Sequence, residues 1–116
     1  MLFGQNLGPE GVIIGMDVDG KSLQRAQSRL SGLACKVELV RSNFAEIGLR
    51  LREIGIEKVD LILADLGVSS PQLLDFEKGL SFQQDMPLDM RIDKRLRRTA
   101  ADIVNGADEK TLADLI

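Results

Sequence analysis

Three apolar segments alternate with two amphipathic segments in the first part of the chain, and this order constrains the fold more than any other feature. The apolar segments are "GVIIGMDVD" (11–19), "CKVELVRSN" (35–43) and "VDLILAD" (59–65), and the amphipathic segments lie at 21–30 and 44–55. Apolar, β-branched runs of this length are typical of buried parallel strands. Because strand–helix–strand repeats form right-handed crossovers, the sequence predicts an α/β fold with three parallel strands covered by helices.

The remainder of the chain has a different pattern. Residues 67–98 carry turn residues and charges with little periodicity, whereas residues 99–116 predict two short helices with Thr99 and Asp108 as N-caps. Three strands are fewer than a complete doubly wound sheet usually has. We therefore expect a truncated chain with a partial sheet, and we expect its exposed sheet edges to promote self-association.

Composition excludes several classes of protein. The chain has 116 residues, 44% of them hydrophobic, and no apolar stretch approaches the ~20 residues that span a bilayer. The N-terminus also lacks the features of a signal peptide, so we expect a cytoplasmic protein without membrane contact. Cys35 is the single cysteine and there is no histidine, which excludes an intrachain disulfide, a zinc site and a Ser-His-Asp triad, and we expect no metal.

Chemically distinctive residues stand at the ends of the predicted strands: Asp17 after the first, Asn43 or Phe44 after the second, and Asp65 after the third. In open α/β sheets, ligands bind beyond the carboxyl ends of the strands. A carboxylate at Asp17 can accept hydrogen bonds from both hydroxyls of a ribose, and Phe44 can form an apolar wall for a purine. Asp65 can orient an ammonium group or an exocyclic amine. The spacing therefore predicts a nucleotide-like ligand.

Structural roles compete with each of these interpretations. Asp17 and Asp19 both stand where turn or helix N-cap residues are common. Phe44 by itself is more typical of a core position or of a hydrophobic staple than of a ligand contact. For Asp65 a functional role is favoured, because the following run "LGVSSPQ" (66–72) crowds a glycine, two hydroxyls and an amide into one loop.

A basic cluster interrupts the irregular second part of the chain. The overall charge is −3, which by itself gives no indication of a nucleic-acid partner. Five positive side chains nevertheless fall within eight residues: Arg91, Lys94, Arg95, Arg97 and Arg98. The cluster is interpreted either as a solvated loop or as a patch that contacts phosphates.

Two longer stretches carry a family resemblance. "ADLGVSSPQL" (64–73) and "KGLSFQQDMPLDMRID" (78–93) closely resemble the signature of the RsmH/MraW family, and "GVIIGMDVD" and "TAADIVNGADEKTLADLI" (99–116) are also similar to it. Members of that family are S-adenosylmethionine-dependent methyltransferases that modify the N4 amine of a cytidine in small-subunit ribosomal RNA. The resemblance implies a partial Rossmann-like class I methyltransferase domain over residues 1–98 and the start of an inserted helical domain over residues 99–116.

The resemblance also implies roles for single residues. The cofactor S-adenosylmethionine would be contacted by Asp17 at the ribose, by Phe44 at the adenine, and by Asp65 and Gln72 after a later strand. Asp65 would also be the catalytic residue that orients the target amine. The basic cluster would contact ribosomal RNA of the small subunit, which makes the small ribosomal subunit the expected partner.

The chain departs from the family pattern in one important respect. The family places a Gly-rich loop ending in a histidine around the methionine part of the cofactor, and this sequence contains neither. We therefore expect the truncated form to be inactive. Two alternatives remain open: a nicotinamide-dependent oxidoreductase, which the missing G-x-G-x-x-G motif disfavours, and a non-catalytic RNA-binding fragment.

Overall fold

A computed structural model describes residues 2–115, with side chains described from Gly4 onward. The chain divides into two compact units, one ending at Ile62 and the other beginning at Leu63. None of the described helices is long and apolar enough to cross a bilayer.

The first unit is built on a two-stranded parallel sheet. Strand β1 (Val12–Asp17) pairs with strand β2 (Lys36–Arg41), in a register that sets Val12 beside Lys36 and Asp17 beside Arg41. A short helix α1 (Leu2–Gln5) precedes β1. Helix α2 (Gly20–Leu30) connects the two strands and packs against both of them, so the first predicted strand–helix–strand repeat is confirmed.

The second predicted helix begins directly after β2. A 3₁₀ helix (Phe44–Glu46) leads into helix α3 (Ile47–Glu53). Gly55 adopts a φ of 75°, and the amides of Gly55 and Ile56 bond to the carbonyls of Arg52 and Leu51. This left-handed glycine ends the helix in the way that its sequence position predicts.

The third predicted strand is wrong. The described residues form a two-stranded sheet, and the segment 59–65 has no regular secondary structure and pairs with no strand. Its side chains are well exposed, at 68% for Leu61, 64% for Ile62 and 75% for Leu63. A strand needs a neighbour that completes its hydrogen-bond ladder, and in a doubly wound sheet strands consecutive in the chain need not be neighbours. β1 and β2 pair with each other, and the segment 59–65 has no partner strand among the described residues. An apolar run becomes a strand only where such a partner is present.

The second unit is made of short helices and one long loop. Its elements are α4 (Ser70–Leu73), a 3₁₀ helix (Phe76–Lys78), α5 (Ala100–Gly106) and α6 (Glu109–Leu115). Thr99 caps α5 by accepting a hydrogen bond from the Asp102 amide at 3.1 Å, and Asp108 accepts one from the Thr111 amide at 2.8 Å. Both predicted N-caps are therefore confirmed, and the 79–99 loop lies between the two pairs of helices.

Candidate functional site at the strand ends

Asp17 closes strand β1, and its carboxylate is only partly used by the protein. Oδ1 accepts a hydrogen bond from the Asp19 amide at 2.8 Å. Oδ2 has no protein hydrogen bond within residues 2–115, and the side chain is half-buried. One oxygen is thus held in place while the other remains available to an external donor.

Asp19, two residues after Asp17, is the N-cap of helix α2. Asp19 is 4% exposed, and its Oδ1 accepts a hydrogen bond from the Lys21 amide at 3.1 Å. The Ser22 hydroxyl lies 3.4 Å from Asp19 Oδ2. The structure thus gives both aspartates one of the structural roles that the sequence left open: Asp19 caps the helix, and Asp17 accepts from the amide two residues on, as a turn residue does.

Phe44 follows β2 at the same end of the sheet as Asp17. The register sets Asp17 beside Arg41, and Phe44 stands three positions farther along the chain, as the first residue of the 3₁₀ helix. Asn43 caps this helix by accepting a hydrogen bond from the Ala45 amide at 2.9 Å. The ring of Phe44 is 64% exposed, which disagrees with a core role and leaves an apolar surface beside the strand ends.

A polar network fixes the chain between β2 and Phe44. The Ser42 side chain is 2% exposed; its hydroxyl donates to Glu46 Oε2 and accepts a hydrogen bond from Arg50 Nε at 3.0 Å. Arg50 also reaches Glu46 Oε2 and Glu53 Oε2, each at 2.9 Å. These contacts raise the pKa of the Arg50 guanidinium, chiefly through the hydrogen bond with Glu53 and then the one with Glu46. This network was not predicted from the sequence, although the i, i+4 spacing of Glu46 and Arg50 is a detectable signal.

Asp65 and Gln72 lie on the two sides of the turn at Gly67 in the second unit. Asp65 is exposed, and its carboxylate makes no hydrogen bond within the described chain. Gly67 has a φ of 135°, a conformation that side chains rarely allow. Asp65 therefore does not cap the turn, and its acceptors are open to solvent.

Gln72 has a structural contact of its own. Its side chain is 5% exposed, and Oε1 accepts a hydrogen bond from the Ser69 amide at 2.8 Å, across the first turn of α4. Pro71 stands at the start of this helix, where its missing N–H costs nothing. This contact fixes the loop that follows Asp65.

The basic cluster is organised by a carboxylate that the sequence analysis did not single out. Asp89 Oδ1 accepts a hydrogen bond from Arg91 Nε at 2.7 Å, and Oδ2 accepts from Arg91 Nη2 and from Lys94 Nζ, both at 2.9 Å. These two cations, Arg91 first, hold the pKa of the Asp89 carboxyl well below its usual range. The D-x-R spacing of residues 89–91 was the signal that could have identified this pair.

A buried lysine joins the helical part of this unit to the loop. Lys78 is 4% exposed, and its Nζ donates to the Ile92 carbonyl at 3.2 Å. The Met90 amide donates in turn to the Lys78 carbonyl at 2.8 Å. Within residues 2–115, no group of three or more His, Cys, Asp and Glu side chains is arranged to hold a metal ion.

Comparison with known proteins identifies the family. A family model described as the MraW methylase family matches residues 4–116. The chain is 48% identical over 108 residues to a ribosomal RNA small subunit methyltransferase H of Geotalea daltonii, covering 93% of this chain and 35% of the relative. It is 44% identical over 112 residues to a protein of the same name from Clostridioides difficile, with 97% and 36% coverage.

The α/β unit, with Asp17 and Phe44 at one end of its parallel sheet, agrees with a methyltransferase fold. The chain belongs to the MraW methylase family, as its signature stretches indicated. It spans about a third of the length of the curated relatives that it matches.

Proposed function

We propose that this chain contributes the methyl-donor site of an enzyme that methylates small-subunit ribosomal RNA at the N4 amine of a cytidine. The observation that carries the proposal is the 48% identity, over 93% of this chain, to a ribosomal RNA small subunit methyltransferase H. Because the chain covers only 35% of that relative, the proposal concerns the steps that the residues of this chain can perform.

The methyl donor of this proposal is S-adenosylmethionine, which supplies an electrophilic methyl group when bound. Asp17 would bind the ribose, and its available Oδ2 supports this role because an ionised acceptor forms strong hydrogen bonds with hydroxyls. Phe44 would lie against the adenine, and its 64% exposed ring supports this role. The chain thus offers groups that fit both halves of an adenosine.

The proposal gives two further residues, Asp65 and Gln72 of the second unit, a part in the reaction. The target amine is a poor nucleophile because its lone pair is delocalised into the cytosine ring. An acceptor at Asp65 would orient this amine and stabilise the positive charge that develops on it. The proposal gives Gln72 a cofactor contact from the loop beside Asp65; its side chain is 5% exposed, and its Oε1 holds that loop by accepting a hydrogen bond from the Ser69 amide.

The proposed substrate sets the remaining parts of the function. The cytidine must be unstacked from the RNA before its amine can reach the site, and positive side chains would hold the RNA backbone meanwhile. Residues 91–98 carry such side chains. We propose the small ribosomal subunit as the partner and, because the substrate is ribosomal RNA, a cytoplasmic location.

The exposed apolar segment 59–66 adds a proposal about the isolated chain. It includes Leu61, Leu63 and Leu66, each at least 66% exposed. Segments whose backbone groups pair with no strand and whose apolar side chains are exposed associate readily with other chains. We propose that this segment promotes self-association.

The test of methyl transfer uses a segment exchange, in which residues 4–116 replace the matching part of the Geotalea daltonii relative. Single-turnover transfer of labelled methyl groups to small-subunit ribosomal RNA is then measured. Asp65→Asn removes a charge-assisted hydrogen bond, so we expect the rate to fall about ten- to a hundredfold. Asp60→Asn, at an exposed aspartate five residues earlier, is the matched control and should leave the rate unchanged.

Equal rates for the two aspartate variants would reject the catalytic role of Asp65. A second measurement concerns Asp17: Asp17→Ala should weaken binding of S-adenosylmethionine more than binding of RNA, and equal losses would contradict its assigned role. An exchanged enzyme that binds ribosomal RNA without transferring a methyl group would favour the alternative of a non-catalytic RNA-binding fragment.

A further inference from the structure

We propose that Arg97 and Arg98 bind RNA phosphates, whereas Arg91, Lys94 and Arg95 hold the loop that carries them. The inference rests on the proposed function for the identity of the polyanion, and it deepens that function by dividing the basic cluster into two parts. The division comes from the hydrogen bonds of the five side chains.

Arg91 is fully engaged within the loop. Its Nε and Nη2 form a two-pronged pair with the Asp89 carboxylate, and its Nη1 donates to the Leu96 carbonyl at 2.8 Å. The side chain is only 22% exposed, and that of Asp89 is 13% exposed. A planar guanidinium held by three acceptors fixes the path of the chain from residue 89 to residue 96.

Lys94 and Arg95 are engaged as well. Lys94 Nζ donates at 2.9 Å to Asp89 Oδ2 and at 2.9 Å to the Glu77 carbonyl, which ties the loop to the 3₁₀ helix before it. Arg95 pairs with Asp93 through Nε at 2.9 Å and through Nη2 at 2.8 Å. Binding a phosphate with either side chain would mean sharing or breaking contacts that already exist.

Arg97 and Arg98 differ from these three residues. Both are exposed, and neither donates a hydrogen bond within residues 2–115. Two acidic side chains lie nearby in sequence: Asp93 pairs with Arg95, and Asp102 accepts hydrogen bonds from the Thr99 amide and hydroxyl, each at 2.8 Å. Those two bonds lower the pKa of Asp102 most, and the charges of Arg91 and Arg98 contribute less. The donors of both arginines are thus left for an external acceptor.

A phosphate is the acceptor that fits two adjacent arginines best. A guanidinium matches the oxygens of a phosphate with two parallel hydrogen bonds, and it is more weakly hydrated than an ammonium. Residues 89–98 carry five basic side chains, Arg97 and Arg98 among them, and two acidic ones. The resulting positive potential favours a polyanion over an isolated anion.

The experiment measures binding of the 116-residue chain to a single-stranded fragment of small-subunit ribosomal RNA by fluorescence anisotropy, over a series of salt concentrations. For single strands, each lost phosphate contact reduces the slope of log K against log salt by about 0.7. The double variant Arg97→Gln/Arg98→Gln should therefore reduce the slope by about 1.4 and weaken binding roughly 25-fold at 0.1 M salt.

The matched control is Arg29→Gln/Arg52→Gln, which removes the same charge from two exposed arginines of the first unit. It should reduce the slope much less than the double variant at 97 and 98. Equal slopes for the two double variants would overturn the inference, and so would a wild-type chain that does not bind the RNA.

Arg91→Lys tests the positioning half of the proposal. Lysine keeps the charge but cannot reproduce the fork on Asp89, so exchange protection of the Ala100 amide, which bonds to the Asp89 carbonyl at 2.8 Å, should decrease. The salt slope should stay that of the wild type; a slope reduced as far as in the double variant would assign Arg91 to phosphate binding and reject the division. The RNA-binding measurement contains no S-adenosylmethionine. Its outcome therefore does not depend on whether the exchanged enzyme transfers a methyl group.

Discussion

The unit up to Ile62 is organised around a hydrogen-bonded sheet, whereas the unit from Leu63 onward is organised around side chains that bind backbone groups. In the first unit, β1 and β2 satisfy each other and α2 covers them. In the second unit, Asp89, Lys78 and the caps of short helices fix a loop that has no strand within its described residues. A sheet tolerates changes in single side chains because its ladder is made of backbone. A loop built on side chains depends on each of them.

The largest loss of stability in the second unit is expected from a substitution at Gly79. The residue has a φ of 60°, and a Cβ added there would overlap the Pro87 carbonyl oxygen. Gly79→Ala therefore combines a left-handed backbone with a collision against main chain, and we expect a loss of about 3 kcal/mol or more. Exchange protection of the Met90 amide, which bonds to the Lys78 carbonyl, measures the loss.

The control for Gly79 is Gly106→Ala in the same unit. A Cβ at Gly106 meets nothing within 4 Å, and the residue ends helix α5. Alanine is the better helix former, so this variant should be neutral or up to about 1 kcal/mol more stable. Equal losses at the two glycines would show that the 79–99 loop is not held as described.

The next largest effect is a loss of stability of the second unit at low pH. The pKa of Asp89 is lowered by Arg91 first and then by Lys94. A carboxyl group whose pKa is lower in the folded state stabilises that state fully above its unfolded pKa of about 3.9, and loses this contribution as the pH falls through the folded pKa. Exchange protection in the second unit should therefore weaken progressively below about pH 4.

Asp89→Asn should remove most of this pH dependence and lower the protection already at neutral pH. Asp85→Asn, at an exposed carboxylate of the same loop without a hydrogen bond in the described chain, should behave like the wild type. If Asp85→Asn changed the acid profile as much as Asp89→Asn, the loop would not depend on Asp89 in particular.

A smaller effect is expected in the first unit, at Ser42. Ser42→Ala removes a buried hydroxyl that bridges Glu46 and Arg50, and it leaves the strand ladder intact. We expect a loss of about 1–2 kcal/mol in the free energy of unfolding, measured by urea denaturation. Ser31→Ala, at an exposed hydroxyl that bonds to the Ser28 carbonyl, should cost less than about 0.5 kcal/mol.

The smallest effect on stability is expected from Leu61→Thr/Leu63→Thr. Both side chains are more than two-thirds exposed and unpaired, so the free energy of unfolding should change by no more than about 0.5 kcal/mol per substitution. Self-association, measured by sedimentation velocity, should decrease. A large loss of stability would show that this segment packs as a third strand in solution.

The candidate site could be predicted only in part. Asp17 ends β1 and Phe44 follows β2, two strands that the hydrophobic pattern predicts. The structure places both residues at one end of the sheet. The hydrogen bonds of Asp89 with Arg91 and Lys94 were not predicted, because they form only when the loop has folded around the carboxylate. The same reason explains the basic cluster, in which charge was visible in the sequence but the internal hydrogen bonds were not.

The local elements could be predicted from the sequence: two strands, the helices between and after them, and the caps at Asp19, Thr99 and Asp108. These depend on periodicity and on hydrogen bonds between residues two or three positions apart, which sequence spacing encodes directly. Tertiary packing, in contrast, leaves the apolar run at 59–65 unpaired, since a strand needs a neighbouring strand to pair with. It also decided that Met90 takes a φ of 58°, a value that its side chain disfavours and that coincides with the hydrogen bond from its amide to Lys78.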